Sequence, residues 1–199
     1  MNAELFFIYD SHCPWSYAAS ALIEAIDKQY PDMPKHLWHI AHYDGSDSAG
    51  KKQVEKVAEQ SVAHFGMDYI RDAEHSQDAT MAANFLAWTA NKQPHQSVKV
   101  LCELQRQHFV DNVPFTDKAD FDALCQKFKL SPPGKVFKDS LSRDAEYALS
   151  EIEEIQEVIQ TKAFPALLLA VDDNLVLLNH NLYLTNPKAI VDAVALELK

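Results

Sequence analysis

The residues best suited to chemistry lie in the run His12-Cys13-Pro14-Trp15-Ser16. Proline fits the first position of a helix, because its missing N–H would go unpaired there anyway. That places Cys13 at the cap of a helix, facing unpaired backbone N–H groups and the positive end of the helix dipole. Both favour a thiolate, so the thiol is expected to ionise below the roughly 8.5 of a free cysteine. His12 is expected to tune that pKa by adding positive charge when protonated. Ser16, one turn along, is placed to donate a hydrogen bond to the sulfur, which again favours the ionised form. The competing reading is a buried, inert cysteine at a helix start, since free cysteines are commonly buried.

A second feature lies far away in sequence. Phe164-Pro165 opens an apolar run, and proline is awkward at a strand start unless its N–H is not needed there or the bond is special. A cis bond before Pro165 would fold this backbone into a tight turn that could sit beside Cys13.

The elements that must position these groups can be read from periodicity. Glu4 to Tyr9 is a short apolar run that predicts a buried strand. The helix from Cys13 carries Ala19, Leu22, Ile23 and Ile26 at helical spacing and stops at Tyr30-Pro31. His36 to His42 predicts a second strand, parallel to the first across the helix. From Asp47 to about Thr161 the pattern is helical. Segments there are capped or opened by Asp78, Pro94, Asp117 and Ser131-Pro132, and a long acidic helix runs through Ala145 and Ile159. Strands return at Pro165–Val171 and Leu175–His180, joined through Asp172-Asp173-Asn174 as an antiparallel hairpin. A last helix is capped by Asn186 and opened by Pro187.

Composition narrows the classes. A formal net charge of -11 works against a nucleic-acid partner, because that binding draws on clustered Lys and Arg. No stretch of 18 apolar residues predicts a membrane span. With only 4 glycines the sequence holds no Gly-rich phosphate loop. The N-terminus lacks the pattern of a signal peptide, so a cytoplasmic location is expected. Three cysteines are an odd number, and disulfides are rare in that compartment. Cys102 and Cys125 fall on apolar helix faces and read as core packing. His36, His39 and His42 alternate across a strand, which argues against a three-His metal site. His108 reads as a satisfied structural histidine.

The cysteine run, the Phe164-Pro165 step and the order of elements together resemble the thioredoxin superfamily, in its DsbA-like branch. The run Tyr9 to Tyr17 is similar to the FrnE-like subfamily, whose members usually carry Cys-Pro-Trp-Cys. Gln107-His108-Phe109 resembles part of that subfamily's helical insertion, and Ala163-Phe164-Pro165-Ala166 sits where the family has its cis-proline loop. The resemblance implies an α/β thioredoxin-like fold with a large helical insertion. Residues 1–46 and 162–199 would form the thioredoxin-like domain and residues 47–161 the insertion. It also implies Cys13 and Ser16 as catalytic residues, with Pro14, Trp15, Phe164 and Pro165 binding substrate.

The departure from the family pattern is Ser16, which stands where the second cysteine is usual. A Cys-x-x-Ser site cannot close an internal disulfide, so an outside thiol must resolve any mixed disulfide on Cys13. The first expectation is therefore a thiol-disulfide oxidoreductase of isomerase or reductase type working as a monothiol. It would act on protein disulfides, with no tightly bound cofactor and no metal, and with glutathione as a candidate co-substrate. The second expectation rests on a resemblance to 2-hydroxychromene-2-carboxylate isomerases and kappa-class glutathione transferases, which carry serine at the position of Cys13. It implies a glutathione-dependent enzyme acting on a small-molecule thiol conjugate. The third is a binding module that captures thiols or peptides without turnover. A homodimer is compatible with each.

Overall fold

The structure is a computed structural model describing residues 2–199. Strand β1 (Ala3–Tyr9) leads through helix α1 (Pro14–Gln29) to strand β2 (Lys35–His39). A short ladder of β3 (Asp44–Asp47) and β4 (Gln77–Asp78) encloses α2 (Lys51–Gln60) and α3 (Met67–Asp72). Then come α4 (Thr80–Lys92), α5 (Ser97–Phe109), α6 (Asp122–Phe128) and α7 (Arg143–Ile159). Strands β5 (Ala166–Val171) and β6 (Asn174–Leu178) and helix α8 (Ile190–Glu197) close the chain.

The main sheet has the order β2-β1-β5-β6. β1 and β2 are parallel, as a strand-helix-strand unit requires, while β5 runs antiparallel to both β1 and β6. Central β1 is apolar without a break from Leu5 to Tyr9 because both faces of that stretch are covered. Leu5, Phe7 and Tyr9 point into the larger core with Leu22, Ile23 and Ile26 of α1. Ile8 and Leu168 point the other way, against Ile152 of α7. The alternation that defines a strand thus assigns one face to α1 and the other to α7.

Asp78 and Asp117 act as expected, whereas Asn186 precedes the last helical segment without a side-chain capping hydrogen bond. The Asp78 carboxylate accepts the Thr80 N–H at 2.9 Å ahead of α4, and Asp117 and Asp120 form a reciprocal capping box before α6. Ser142 caps α7 by accepting the Ala145 N–H. Two further expectations differ, and some elements carry no signal in the sequence. The second strand stops at His39, because Ala41 turns into a left-handed conformation at φ 51°. Ser131-Pro132 precedes only a single short turn, Gly134–Val136. The β3-β4 ladder and α3 carry too few apolar residues at either period to be read.

One glycine is required by close approach. A Cβ on Gly66 would lie 1.9 Å from the Val110 carbonyl oxygen, and the Gly66 N–H donates to the Phe109 carbonyl at 2.9 Å. The start of α3 is thereby held against the end of α5, bringing Tyr69 onto the His108 ring.

Candidate active site

Cys13 caps α1 in extended conformation, and Pro14 is the first helical residue, as expected. The turn before it is fixed by Asp10, which is fully buried. One Asp10 carboxylate oxygen accepts the His12 N–H at 2.8 Å. The other accepts the N–H groups of His42 at 2.8 Å and Tyr43 at 3.2 Å. A single carboxylate therefore ties the cysteine turn to the segment after β2. The Asp10 N–H donates in turn to the Ser16 hydroxyl at 3.2 Å, so Ser16 also anchors this turn.

The sulfur is almost fully enclosed. Cys13 is 4% exposed and clusters with Tyr43 and Ala79, with Trp15 and Phe164 packed against them. The peptide bond before Pro165 is cis, so the Phe164-Pro165 step is the special bond that its sequence position suggested. The structure brings Cys13, Trp15 and Phe164 into one cluster, and buried Pro165 directly precedes the start of β5.

The electrostatics overturn one expectation. Burial pushes the Cys13 thiol up to about 11. The backbone N–H and hydroxyl of Ser16 oppose the rise, the nearby Asp10 carboxylate adds to it, and the Trp15 N–H opposes it. No side-chain capping hydrogen bond forms at the sulfur. The helix start thus supplies the groups that favour a thiolate, but desolvation outweighs them while the site is closed.

His12 does not supply the expected positive charge. Its ring is 1% exposed, and burial pushes its pKa down. His12 Nε2 lies 3.1 Å from the Pro114 carbonyl, so it is the donor there, and His12 Nδ1 accepts from the Ser11 hydroxyl at 2.9 Å. The Ser11 oxygen also meets His39 Nε2 at 2.8 Å. His39 has the N–H groups of Ser11 and Ala41 at 3.0 and 2.9 Å, so a second proton on its ring would face opposing donors. Burial alone lowers its pKa to about 3. These histidines are neutral struts.

His108 is only half satisfied. His108 Nδ1 donates to the Val113 carbonyl at 2.7 Å, while His108 Nε2 is buried without a partner. Its ring packs at a tilt of 32° against the His12 ring, with centroids 3.9 Å apart. Cys102 and Cys125 pack against the core and are free thiols, as is Cys13. Sequence reasoning missed Asp10 and Tyr43, whose roles depend on contacts between distant loops. A cavity of about 470 Å³ lies between β2, α4 and α7, away from Cys13. A smaller one of about 260 Å³ reaches the cysteine turn through His12.

No protein-family model and no curated protein sequence matches the chain. Its fold does match solved structures. The cytosolic disulfide reductase DsbM from Pseudomonas aeruginosa superposes with a TM-score of 0.80 at 20% identity, over 98% of this chain and 100% of that one. The same reductase with GSH gives 0.77 at 18%, over 96% and 98%. A candidate protein disulfide isomerase from Nitrosomonas europaea gives 0.72 at 15%, over 99% and 98%. A 2-hydroxychromene-2-carboxylate isomerase gives 0.58 at 10%, over 98% and 95%. The fold is therefore the DsbA-like thioredoxin fold.

Proposed function

We propose that this protein is a thiol-disulfide oxidoreductase that works through the single thiol of Cys13, as an isomerase or as a glutathione-linked reductase. The observation that carries this reading is one arrangement: a cysteine capping α1, packed with Trp15 and Phe164 ahead of cis-Pro165, with a serine where a partner thiol would stand. In this reading Pro14 fixes the helix start, and Trp15, Phe164 and Pro165 line the approach of the substrate.

The chemistry follows from the pKa balance. The attacking species is the thiolate, a minor form while Cys13 is enclosed. A substrate that parts Trp15 and Phe164 relieves the desolvation, and the N–H groups of Trp15 and Ser16 are already in place to hold the charge. The thiol proton leaves to solvent. The Cys13 thiolate attacks one sulfur of the disulfide; the Cys13–substrate S–S bond forms, the original S–S bond breaks, and the second substrate sulfur departs as thiolate. With Ser16 unable to attack, resolution comes from outside. Attack by another substrate thiol exchanges one protein disulfide for another with no net electron transfer. Attack by glutathione regenerates Cys13 and leaves a glutathione–substrate disulfide, which a second glutathione completes. Two glutathiones are then oxidised for each disulfide reduced. Among the described residues no helix is long and apolar enough to cross a membrane. A cytoplasmic site of action, where glutathione is reduced, suits this chemistry.

The test is repair of scrambled disulfides with reduced glutathione present. The wild-type chain is expected to turn over and Cys13→Ser to fall to background; equal activity of the two would remove the reading. A second reading, a glutathione-dependent transferase or isomerase, draws on the 2-hydroxychromene-2-carboxylate isomerase likeness. It requires saturable glutathione binding by a Cys13→Ser chain and turnover of a small electrophile. Calorimetry without a binding signal eliminates it.

A further inference from the structure

Tyr43 brings to the Cys13 cluster a polar group that the fold leaves unused. The residue is 4% exposed and packs with Cys13 and Ala79. Both of its backbone groups are fixed to neighbours of the thiol. Its N–H donates to the Asp10 carboxylate at 3.2 Å, and its carbonyl accepts the Ala79 N–H at 2.8 Å. The Asp10 carbonyl in turn accepts the Cys13 N–H at 3.1 Å. The His42 ring meets the Tyr43 ring edge-on, with centroids 4.9 Å apart. The phenol is thus held by the cysteine turn and by Ala79, not by the Trp15 and Phe164 side chains that a substrate parts. A buried tyrosine hydroxyl usually finds a partner. That of Tyr17 donates to the His64 carbonyl at 3.1 Å, and that of Tyr69 has the Gln77 amide at 3.5 Å. Among the described residues the Tyr43 hydroxyl meets no hydrogen-bond partner, yet unlike His108 Nε2 its oxygen is not sealed off.

The hydroxyl also lies near the reacting sulfur. Burial pushes the Tyr43 phenol far above its ordinary value, and the charge of Cys13 is the next contribution to that rise. The group stays protonated at working pH, so it is a donor and not a base. It is not one of the donors that already face the Cys13 sulfur, which are the Ser16 N–H and hydroxyl and the Trp15 N–H. In thiol-disulfide exchange three sulfurs stand in line, and negative charge is shared between the two outer ones. The start of α1 serves the Cys13 end, and none of its donors serves the other. We infer that the Tyr43 hydroxyl hydrogen-bonds the outside sulfur, as it leaves in the first step and as it attacks in the second, and is thus a catalytic residue. This rests on the reading of Cys13 as the reacting thiol. In the first step the Cys13–substrate S–S bond forms and the substrate S–S bond breaks. Its electron pair goes to the departing sulfur, which accepts the Tyr43 O–H. The phenol keeps its proton, and the released thiolate takes one from water. In resolution the glutathione thiolate occupies the same end, bonds to the substrate sulfur and returns the pair to Cys13. A donor aimed where charge develops lowers the barrier, and it counts most when the leaving thiol holds charge poorly.

The test sets the wild-type chain beside Tyr43→Phe, which keeps the ring and removes only the hydroxyl. Three reagents are used on Cys13, with rates read there by mass spectrometry after proteolysis. Oxidised glutathione expels an alkyl thiolate, a nitrobenzoate disulfide expels a stabilised aromatic thiolate, and iodoacetamide expels iodide. Tyr43→Phe is expected to slow the reaction with oxidised glutathione about tenfold, the size of one hydrogen bond to a charged group. The other two reactions should stay within about twofold, since their leaving groups carry charge without help. Equal slowing with all three overturns the inference, because the hydroxyl would then serve Cys13 or the packing. Unchanged reaction with oxidised glutathione also overturns it. The urea midpoint of Tyr43→Phe should match the wild type, as removing an unpartnered hydroxyl breaks no bond in the closed fold. A clear fall in the midpoint would assign the hydroxyl to the fold and overturn the inference. A wild-type chain whose Cys13 reacts with none of the reagents ends the reading of Cys13 and the inference with it. A reactive wild type matched by Tyr43→Phe ends the inference alone.

Discussion

The start of α1 and the seam between α1 and α5 each enclose a thiol, and desolvation raises both. Burial pushes Cys13 up to about 11 and Cys102 up to about 12. The surroundings differ in kind. At Cys102 the further contributions come mainly from carboxylates, with Glu24 and Asp27 adding to the rise and Lys28 opposing it. Its sulfur faces only the Ser20 carbonyl, at 3.9 Å. At Cys13 the largest contributions after burial are the N–H and hydroxyl of Ser16, and they act the other way. Opening the seam at Cys102 would expose a thiol among acids, whereas opening the cluster at Cys13 would expose one among donors. What favours the proposed role of Cys13 over one for Cys102 is the sign of what remains once water is admitted.

The largest effect should come from exchanging the two thiols for serine in separate chains. Cys13→Ser is expected to abolish thiol-disulfide exchange, and Cys102→Ser to leave it within about twofold, since surface-distant core changes act through stability. Loss of activity in both would end the contrast. Next in size is Ser16→Cys. It should convert the site to a dithiol that closes an internal disulfide on oxidation, seen as loss of two titratable thiols. It also removes the hydroxyl that accepts the Asp10 N–H, at a cost of about 1 kcal/mol in urea unfolding.

The pH dependence sharpens the contrast further. Alkylation of Cys13 by iodoacetamide should rise about tenfold per pH unit from neutrality and level off only near 11, because the thiolate is the reacting form. Cys102 should lag at every pH and level off near 12. A Cys13 plateau near 7 would mean that the closed cluster does not persist in solution.

The smallest effect is on stability. His12, His39 and His108 all have pKa values lowered by burial. Above the unfolded value of about 6.5 they are neutral in both states and contribute no pH dependence. As pH falls below it, the unfolded chain takes up protons that the fold refuses, so stability is lost. The loss is up to about 1.4 kcal/mol per histidine per pH unit. For His39 it continues toward about pH 3. Denaturant midpoints flat between pH 6.5 and pH 5 would show that these rings are not neutral struts.

Much of the frame was legible because it rests on local rules. Pro14 opening α1, Asp78 and Asp117 as caps, and the turn at Asp172 between β5 and β6 each follow from chemistry within a few residues. The apolar run of β1 announced a strand covered on both faces. The site was legible in its residue types and in the special bond before Pro165. Its electrostatics were not, because they depend on enclosure by residues remote in sequence. Tyr43, Ala79 and Phe164 bury the Cys13 sulfur, and Pro114 and His108 bury His12. A helix start predicts which groups favour a thiolate, and only the packed structure shows that desolvation outweighs them.

The central claim is that Cys13 alone carries exchange and that an outside thiol must release it. The most direct measurement is mass spectrometry of the wild-type chain after oxidised glutathione, followed by proteolytic mapping and then reduced glutathione. The account expects one glutathione per chain, on Cys13, fully released by the second treatment. Glutathione on Cys102 or Cys125 with Cys13 unmodified, or a disulfide between Cys13 and either of them, would contradict it.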